Sequence, residues 1–507
     1  MATAADDRAT DHPWEAGPTD SETGSPVGKL AAQIARRIEA DVMQRGWPVG
    51  ESLGSEQDLR EHYGVSRSVL REAVRLVEHH QVARMRRGPG GGLIVSAPDA
   101  GPATRSIVIY LEYIGTSVTD LLHARQLLEP IAAGLATQHL TEDGIDTLRA
   151  TLDDELAQPP EPGEGALDPL HPVLGQLSGN PVLQLFIDVL TRLTARYAHT
   201  SRRIPKAEVQ AAAALSREAH QAIVDAVIGG DGAHAQTLLT SHLEWVAAWI
   251  EQHRVRRARI TGAVIEPEMA EKPRAKLAEV VASWIHDDIA ARGWQVGSVL
   301  GSEADLLARY SISRAALREA VRLLEYHSVA RMRRGPGGGL IVTEPEAQAS
   351  IDTMALFLEY QGATADDLRI VRDALELGAV ARVTARLAED GGAEGRDETA
   401  ETMAERLAAA VRRPTEGPAD EPRKADLFHS ELAALAGNPV LSLFLDIMTE
   451  LFRRHAAGQN QPLPGDKAAT EVTHVHQRIL DAVLAGDSGV ARHRMRRHLD
   501  ALIPWWH

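Results

Sequence analysis

Two sets of side chains in the sequence could do chemistry. One is cationic: Arg67, Arg71 and Arg75 stand at i, i+4 and i+8, and Arg314, Arg318 and Arg322 repeat the spacing. On a helix that spacing keeps three guanidiniums on one stripe, drifting about 40° per step. Long, permanently charged donors on one face suit phosphates and base edges. The other set is drawn from 21 histidines. His171, His220 and His242 are spaced by 49 and 22 residues, and His429, His476 and His498 by 47 and 22. Three imidazoles joined by a carboxylate make a site for a first-row divalent metal. Asp168 and Asp426 each lie three residues before the first histidine of their set, on its face if the segment is helical. A lone histidine is more often a satisfied core or surface residue, and a lone arginine triplet a solvated face. The histidine triplets stand out because neighbours have drifted: His123 faces Ile370 and His199 faces Ala457 when the two sets are aligned.

That alignment is an internal duplication. Gly46–Val95 and Gly293–Val342 match at an offset of 247, with 36 of 50 positions identical. The likeness continues through DLLHARQLLE and DLRIVRDALE at the same offset, through SGNPVLQLFIDVLTRL and AGNPVLSLFLDIMTEL, and through the segments that end in DAVIGGD and DAVLAGD. Each half is a small domain followed by a larger one, and the period is far above the roughly 20–50 residues of a solenoid.

The small domain reads as three helices and a hairpin. Leu30–Arg45 is an amphipathic run, Ser55-Glu56-Gln57-Asp58 resembles a capping box with Asp in the last place, and Tyr63-Gly64-Val65 is a tight turn. Ser66 then caps a third helix that carries the arginines outward and Val69, Ala73, Val74 and Val77 inward. Two β-prone runs joined by Gly88-Pro89-Gly90-Gly91-Gly92 close the unit. This order makes a winged helix-turn-helix, and the predicted partner is double-stranded DNA. The expected contacts are Ser66, Arg67, Ser68, Arg71, Arg75, Arg86, Arg87 and Gly90 in the first copy, and Ser313, Arg314, Arg318, Arg322, Arg333, Arg334 and Gly337 in the second. Glu72 and Glu78 are placed to neutralise part of the arginine stripe.

The run VGESLGSEQDLREHYGVSRSVLREAVRLVEHHQVARMRRGPGGGLIV resembles the DNA-binding domain of the GntR family of bacterial transcription regulators, over the whole small domain in both halves. It departs from that pattern at Gly54 and Gly301, where the family usually has Pro, at Gln57 and Ala304, where it usually has Arg, and at Ala315, which replaces the hydroxyl of Ser68.

The large domains, about 102–257 and 346–507, carry apolar residues at helical spacing almost throughout, and each predicts a bundle of roughly six or seven helices. DLLHARQLLEP, LHPVLGQLSGNPVL and EAHQAIVDAVIGGD resemble the FCD effector domain of the FadR subfamily. The resemblance implies a metal, often zinc, one per helical domain, held by His171, His220 and His242 with Asp168 and by His429, His476 and His498 with Asp426, beside a pocket for a small organic acid. The family's Asp usually stands one place earlier, where this chain has Leu167 and Ala425. Arg125 and Arg372 match the arginine of the first effector helix; a guanidinium there could fork onto the effector carboxylate or pair with Glu129 or Glu376.

Composition bounds the rest. The chain has 507 residues, no cysteine and a formal net charge of −17. Thiol catalysis, disulfides and Cys-ligated metal are excluded, and no run of about 18 apolar residues predicts a membrane span. The acidity is uneven, since residues 28–96 carry +3 and residues 275–343 carry +2. The expected layout is a disordered acidic leader (1–27), winged domain (28–96), FCD-type bundle (102–257), linker (258–273), winged domain (274–343) and FCD-type bundle (346–507). The fold class is mainly α, with β-hairpin wings. The function that follows is a cytoplasmic, effector-responsive DNA-binding regulator, with the two halves packed as an intramolecular pseudo-dimer or the chain paired as a homodimer. The alternatives are a constitutive DNA binder with structural histidines and, further off, a metal-dependent hydrolase, for which no catalytic base is evident.

Overall fold

The computed structural model describes residues 26–86, 88, 91–98, 100–157, 169–197, 205–253, 274–333, 335, 337–389, 399–412, 427–459 and 466–502. Most of the expected leader, the linker 258–273, and Arg87, Gly90, Asp168, Arg334 and Asp426 lie outside the described residues. The described residues form two compact units that part after Pro98.

The first unit is a winged helix-turn-helix. Helix α1 (Pro26–Gln44) buries Ala31, Ile34, Ala35, Ile38 and Val42, one stripe at helical period, and packs on α3. Helix α2 (Glu56–Tyr63) opens with the capping box: Ser55 Oγ accepts from Asp58 N at 3.2 Å and Asp58 Oδ2 accepts from Ser55 N at 2.9 Å. It ends at Gly64, in the left-handed region at φ 63°. Ser66 Oγ accepts from Val69 N and starts α3 (Arg67–His79), which buries Val69, Leu70, Ala73, Val74 and Val77. Each of the buried valine and leucine side chains contributes about 1.5–3 kcal/mol of apolar burial. Strands β1 (Ala83–Arg86) and β2 (Gly92–Val95) pair antiparallel with Ala83 opposite Val95. Gly92, at φ 144°, passes so close to the preceding loop that a Cβ would stand 2.6 Å from the Gly54 carbonyl oxygen. Gly54 itself sits at φ 125°, which proline, fixed near −65°, could not adopt.

The second unit holds both bundles and the second winged domain. The first bundle comprises α4 (Ala100–Tyr113), α5 (Val118–His139), α6 (Glu142–Ala157), α7 (Leu170–Leu177), α8 (Pro181–Tyr197), α9 (Lys206–Ile228) and α10 (Gly232–His253). The winged domain follows as α11 (Arg274–Ala291), β3 (Val299–Gly301), α12 (Glu303–Tyr310), α13 (Arg314–Tyr326), β4 (Ala330–Arg333) and β5 (Gly339–Val342). The second bundle is α14 (Ala347–Tyr360), α15 (Ala365–Glu389), α16 (Ala400–Arg412), α17 (Leu427–Leu435), α18 (Pro439–Gln459), α19 (Asp466–Leu484) and α20 (Ser488–Leu502). Two details differ from the sequence reading. The wing gains a third strand, in the order β3-β5-β4, where the first unit has, among the described residues, only a bridge from Ser52 to Ile94. The turn residue Ser311, in the place of Gly64, holds φ 52° without being glycine, which costs about 1–2 kcal/mol.

The bundles share one core. It is built from α4, α5 and α8 of the first and α14, α15 and α18 of the second, and it includes Leu111, Leu128 and Phe186 with Leu358, Leu375 and Phe444. Phe186 and Phe444 stack with ring centroids 3.7 Å apart. Two buried asparagines lock the same interface in opposite directions. Asn180 Oδ1 accepts from Val182 N and Leu183 N, opening α8, while its Nδ2 donates to the Asp367 carbonyl at 3.1 Å. Asn438 does the same for α18 and donates to the Asp120 carbonyl at 3.1 Å. Each bundle also has a smaller core of its own, one around α7, α9 and α10 and the other around α17, α19 and α20.

Candidate DNA-reading faces and metal centres

The arginines of α3 are exposed, but acids of the same domain hold them. Arg67 Nε donates to Glu56 Oε1 at 2.6 Å, Arg71 Nε lies 3.9 Å from the same oxygen, and Arg75 Nη1 donates to Glu72 Oε2 at 3.1 Å. The hydrogen bond from Arg67 lowers the Glu56 carboxyl below its ordinary range, against the opposing effect of burial. In the second copy Arg314 Nε is 3.9 Å from Glu303, and Arg322 Nη1 donates to Glu319 at 2.7 Å. Arg318 is exposed on the same helix. Glu72 thus meets the stripe as expected, whereas Glu78 does not: its Oε1 accepts from Met85 N at 2.8 Å and anchors the wing, as Glu325 does for Met332 at 3.1 Å. Ser66 Oγ and Ser68 Oγ lie 3.0 Å apart at the start of α3, and Ser313 caps α13. Arg86 and Arg333 stand at the ends of β1 and β4, the latter donating to the Gly337 carbonyl at 3.0 Å. Both domains present cationic groups on one helix and at one wing, the arrangement that groove and phosphate contact needs.

The histidine triplets come together in three dimensions. His171 on α7, His220 on α9 and His242 on α10 are buried, and each offers a ring nitrogen within 4.8 Å of the others. His220 Nε2 and His242 Nε2 lie 3.1 Å apart. His429, His476 and His498 form the second cluster, with Nε2 atoms 3.1 Å apart from His429 to His498 and 3.0 Å from His476 to His498. Nitrogens held about 2.1 Å from one ion would stand about 3.0–3.4 Å apart, from octahedral to tetrahedral ligation, so these spacings fit. Two rings of the second cluster are held neutral, as metal ligands must be. Burial, then the neighbouring His429, lowers His498 to about 3; burial, then His429 and His498, lowers His476 further still.

A buried carboxylate orients each cluster. His171 Nδ1 lies 2.5 Å from Glu129 Oε2, and Arg125 Nε donates to Glu129 Oε1 at 2.5 Å. With Nδ1 hydrogen-bonded, Nε2 is the nitrogen suited to face the other imidazoles. Burial alone would raise the Glu129 carboxyl, but Arg125 and His171 overcome it and hold it at about 2. His429 Nδ1 bonds Glu376 and Arg372 Nε donates to Glu376 at 2.6 Å, and there too the carboxyl lies well below its usual range despite burial. Arg125 and Arg372 are therefore engaged by the glutamates one helical turn on. His220 Nδ1 has a further carboxylate, Glu155 Oε2 at 2.9 Å. Sequence reasoning saw the Arg–Glu pairs but missed that the same glutamates hold the first histidine. The available signal was an acid on α5 and α15 at a matched repeat position.

Fold and sites together define a class: winged DNA-reading domains joined to helical sensor bundles with histidine clusters. The FCD domain family matches residues 120–244 and 367–501, and the family of bacterial regulatory proteins called gntR matches residues 30–92. The chain belongs to the GntR family of bacterial transcription regulators in its FCD-bearing form, and it carries the FCD part twice. The family is one of regulators, not enzymes. The chain is similar to LutR of Bacillus subtilis (28% identity; 38% of this chain, 89% of LutR), to the Uxu operon regulator of Haemophilus influenzae (26%; 43% and 80%) and to the repressor NanR of Salmonella schwarzengrund (26%; 48% and 93%). Each relative spans less than half of this chain. Among solved structures, a GntR protein of Streptococcus agalactiae aligns over 43% of this chain and 99% of its own at 24% identity, with a TM-score of 0.31.

Proposed function

We propose that this chain is an effector-controlled operator-binding regulator made of two GntR/FadR-type units in the six-segment layout given above. The two winged domains read double-stranded DNA through the Arg67–Arg75 and Arg314–Arg322 stripes, with Ser66, Ser68, Ser313 and the wing residues Arg86, Arg87, Gly90, Arg333, Arg334 and Gly337 contacting the backbone. Each bundle holds one divalent ion, zinc foremost, on its three histidines, with Asp168 and Asp426 as candidate fourth donors. A small organic acid bound beside the ion, reached by Arg125 or Arg372, changes operator affinity by a coupling of about 1–3 kcal/mol. The bundles act as an intramolecular pseudo-dimer, and no helix among the described residues is long and apolar enough to cross a membrane, in keeping with work in the cytoplasm.

The observation that carries this reading is the convergence of three buried imidazoles in each bundle, each cluster oriented by a buried glutamate. Metal analysis of the purified chain tests it. Two equivalents are expected, falling to one in His220→Ala/His242→Ala and to none when His476→Ala and His498→Ala are added. A metal-free chain whose binding to a duplex selected from a random pool is indifferent to added zinc would overturn it.

A further inference from the structure

The second winged domain is completed by the first half of the chain. Ile109, near the end of α4, is buried in that domain's core with Ile285, Trp294, Leu300 and Leu317. One turn on, the Glu112 carboxylate lies 3.1 Å from His286 Nε2 on α11, with the two side chains only 3% and 8% exposed. The Tyr113 ring meets Trp294 edge-on at 5.6 Å, and its hydroxyl donates to Glu344 Oε1 at 2.9 Å. The chain then makes one turn, Gly115 N bonding the Glu112 carbonyl and Thr116 N the Leu111 carbonyl, before Ser117 caps α5. Helix α5 carries Arg125 and Glu129 to the first histidine cluster. A single short turn therefore separates the helix that grips the second reader from the helix that holds the first cluster.

The repeat supplies an internal control. The same Leu-Glu-Tyr occurs at 358–360, but Glu359 lies 3.9 Å from Arg454 Nη1 within its own bundle. The first reader has Glu39 where the second has His286, and Ala97 where the second has Glu344. Glu39 is buried and its Oε1 bonds His80 Nδ1 at 2.6 Å. A buried carboxylate already so engaged repels a second one, and an alanine side chain accepts no hydroxyl. The complementarity seen at Glu112 and Tyr113 is thus encoded for one reader only.

We propose that Glu112 and Tyr113 are positioning residues for the second DNA reader, which takes its placement from the first half of the chain and answers to the first histidine cluster. The answering rests on the regulatory reading above; the positioning does not.

Hydrogen–deuterium exchange of the full chain tests the positioning without metal, effector or DNA. Glu112→Gln should speed amide exchange in α11 and α13 at least tenfold, and Tyr113→Phe by a smaller factor, with α3 of the first reader unchanged. The exchanged pair Glu112→His/His286→Glu should recover part of the protection, and Glu359→Gln should affect neither reader. Wild-type exchange at α11 and α13 in both single variants, or equal loss in both readers, would overturn the proposal. In a chain whose first reader is silenced by Arg67→Ala/Arg71→Ala, Glu112→Gln should weaken binding to the selected duplex about tenfold or more. In a chain silenced at Arg314 and Arg318 it should change nothing. The zinc response of the second reader should vanish with His220→Ala/His242→Ala and survive His476→Ala/His498→Ala; the reverse pattern would sink the crossed wiring. If zinc moves neither reader while the exchange result stands, the regulatory reading fails and the positioning survives.

Discussion

Phe186 and Phe444 hold the same place in the two repeats and lie against each other, ring planes 18° from parallel and centroids 3.7 Å apart. A residue that touches its own repeat counterpart marks a pseudo-two-fold axis, and the reciprocal Asn180 and Asn438 bonds run across it. The interface between the halves is therefore an isologous one written into a single chain.

Phe444→Ala should lower the stability of the shared core by about 3–5 kcal/mol, because the ring is fully buried and the site is close-packed from both sides. Urea unfolding followed by circular dichroism measures this. Both histidine clusters lie in separate cores and should keep their metal.

Glu129→Gln should weaken metal at the first cluster by about 10–100-fold and leave the second untouched, since it removes the carboxylate that orients His171. Competition with a chromophoric chelator reads each site. Equal loss at both sites would show that the glutamate acts through folding instead.

Glu56→Gln should raise DNA affinity by roughly 1.5–5-fold at low salt, the range of a surface ion pair, because it releases Arg67 and removes a negative charge from the proposed DNA face. Arg71→Ala should lower affinity and reduce the slope of log affinity against log salt by about 1. Fluorescence anisotropy across a salt series checks both, and unchanged slopes would assign these arginines a purely structural part.

The metal-free chain should lose stability as pH falls below about 6.5. His498, lowered to about 3, and His476, lowered further, refuse protons in the folded state that the unfolded chain accepts near 6.5. Their contribution is full above that value and declines at about 1.4 kcal/mol per pH unit for each group. The depressed Glu376 carboxyl adds a decline only below its ordinary 4.5. Urea midpoints from pH 7 to 5 should fall in the metal-free protein and much less in His476→Asn/His498→Asn; a flat profile in the former would contradict the assignment.

The arginine stripes were legible because a helix period is a local signal: the alternation that exposes Arg67, Arg71 and Arg75 and buries Val69, Ala73 and Val77 lies within one short segment. The histidine clusters were legible for a different reason, since the duplication filtered matched histidines from those that drifted. What escaped was tertiary. Strand β3 is three residues long and forms by pairing with β5, 40 residues away, so no local pattern announces it. Glu129 was read as a partner for Arg125 one turn away, and its bond to His171 spans 42 residues. The pairing of Glu112 with His286 joins segments with no shared periodicity, and only the fold brings them together.

The Ser106 and Ser350 hydroxyls, 2.7 Å apart where α4 meets α14, have no twin: their repeat counterparts are Thr353 and Ala103. In a dimer of identical chains every substitution is made twice, and the partners separate on dilution. Here each side of the interface can be altered alone, and the partner's local concentration is fixed by the covalent link. For a chain that stays single in solution, DNA occupancy would rise with the first power of protein concentration, so that a handful of molecules in a cell would titrate an operator without first having to find one another.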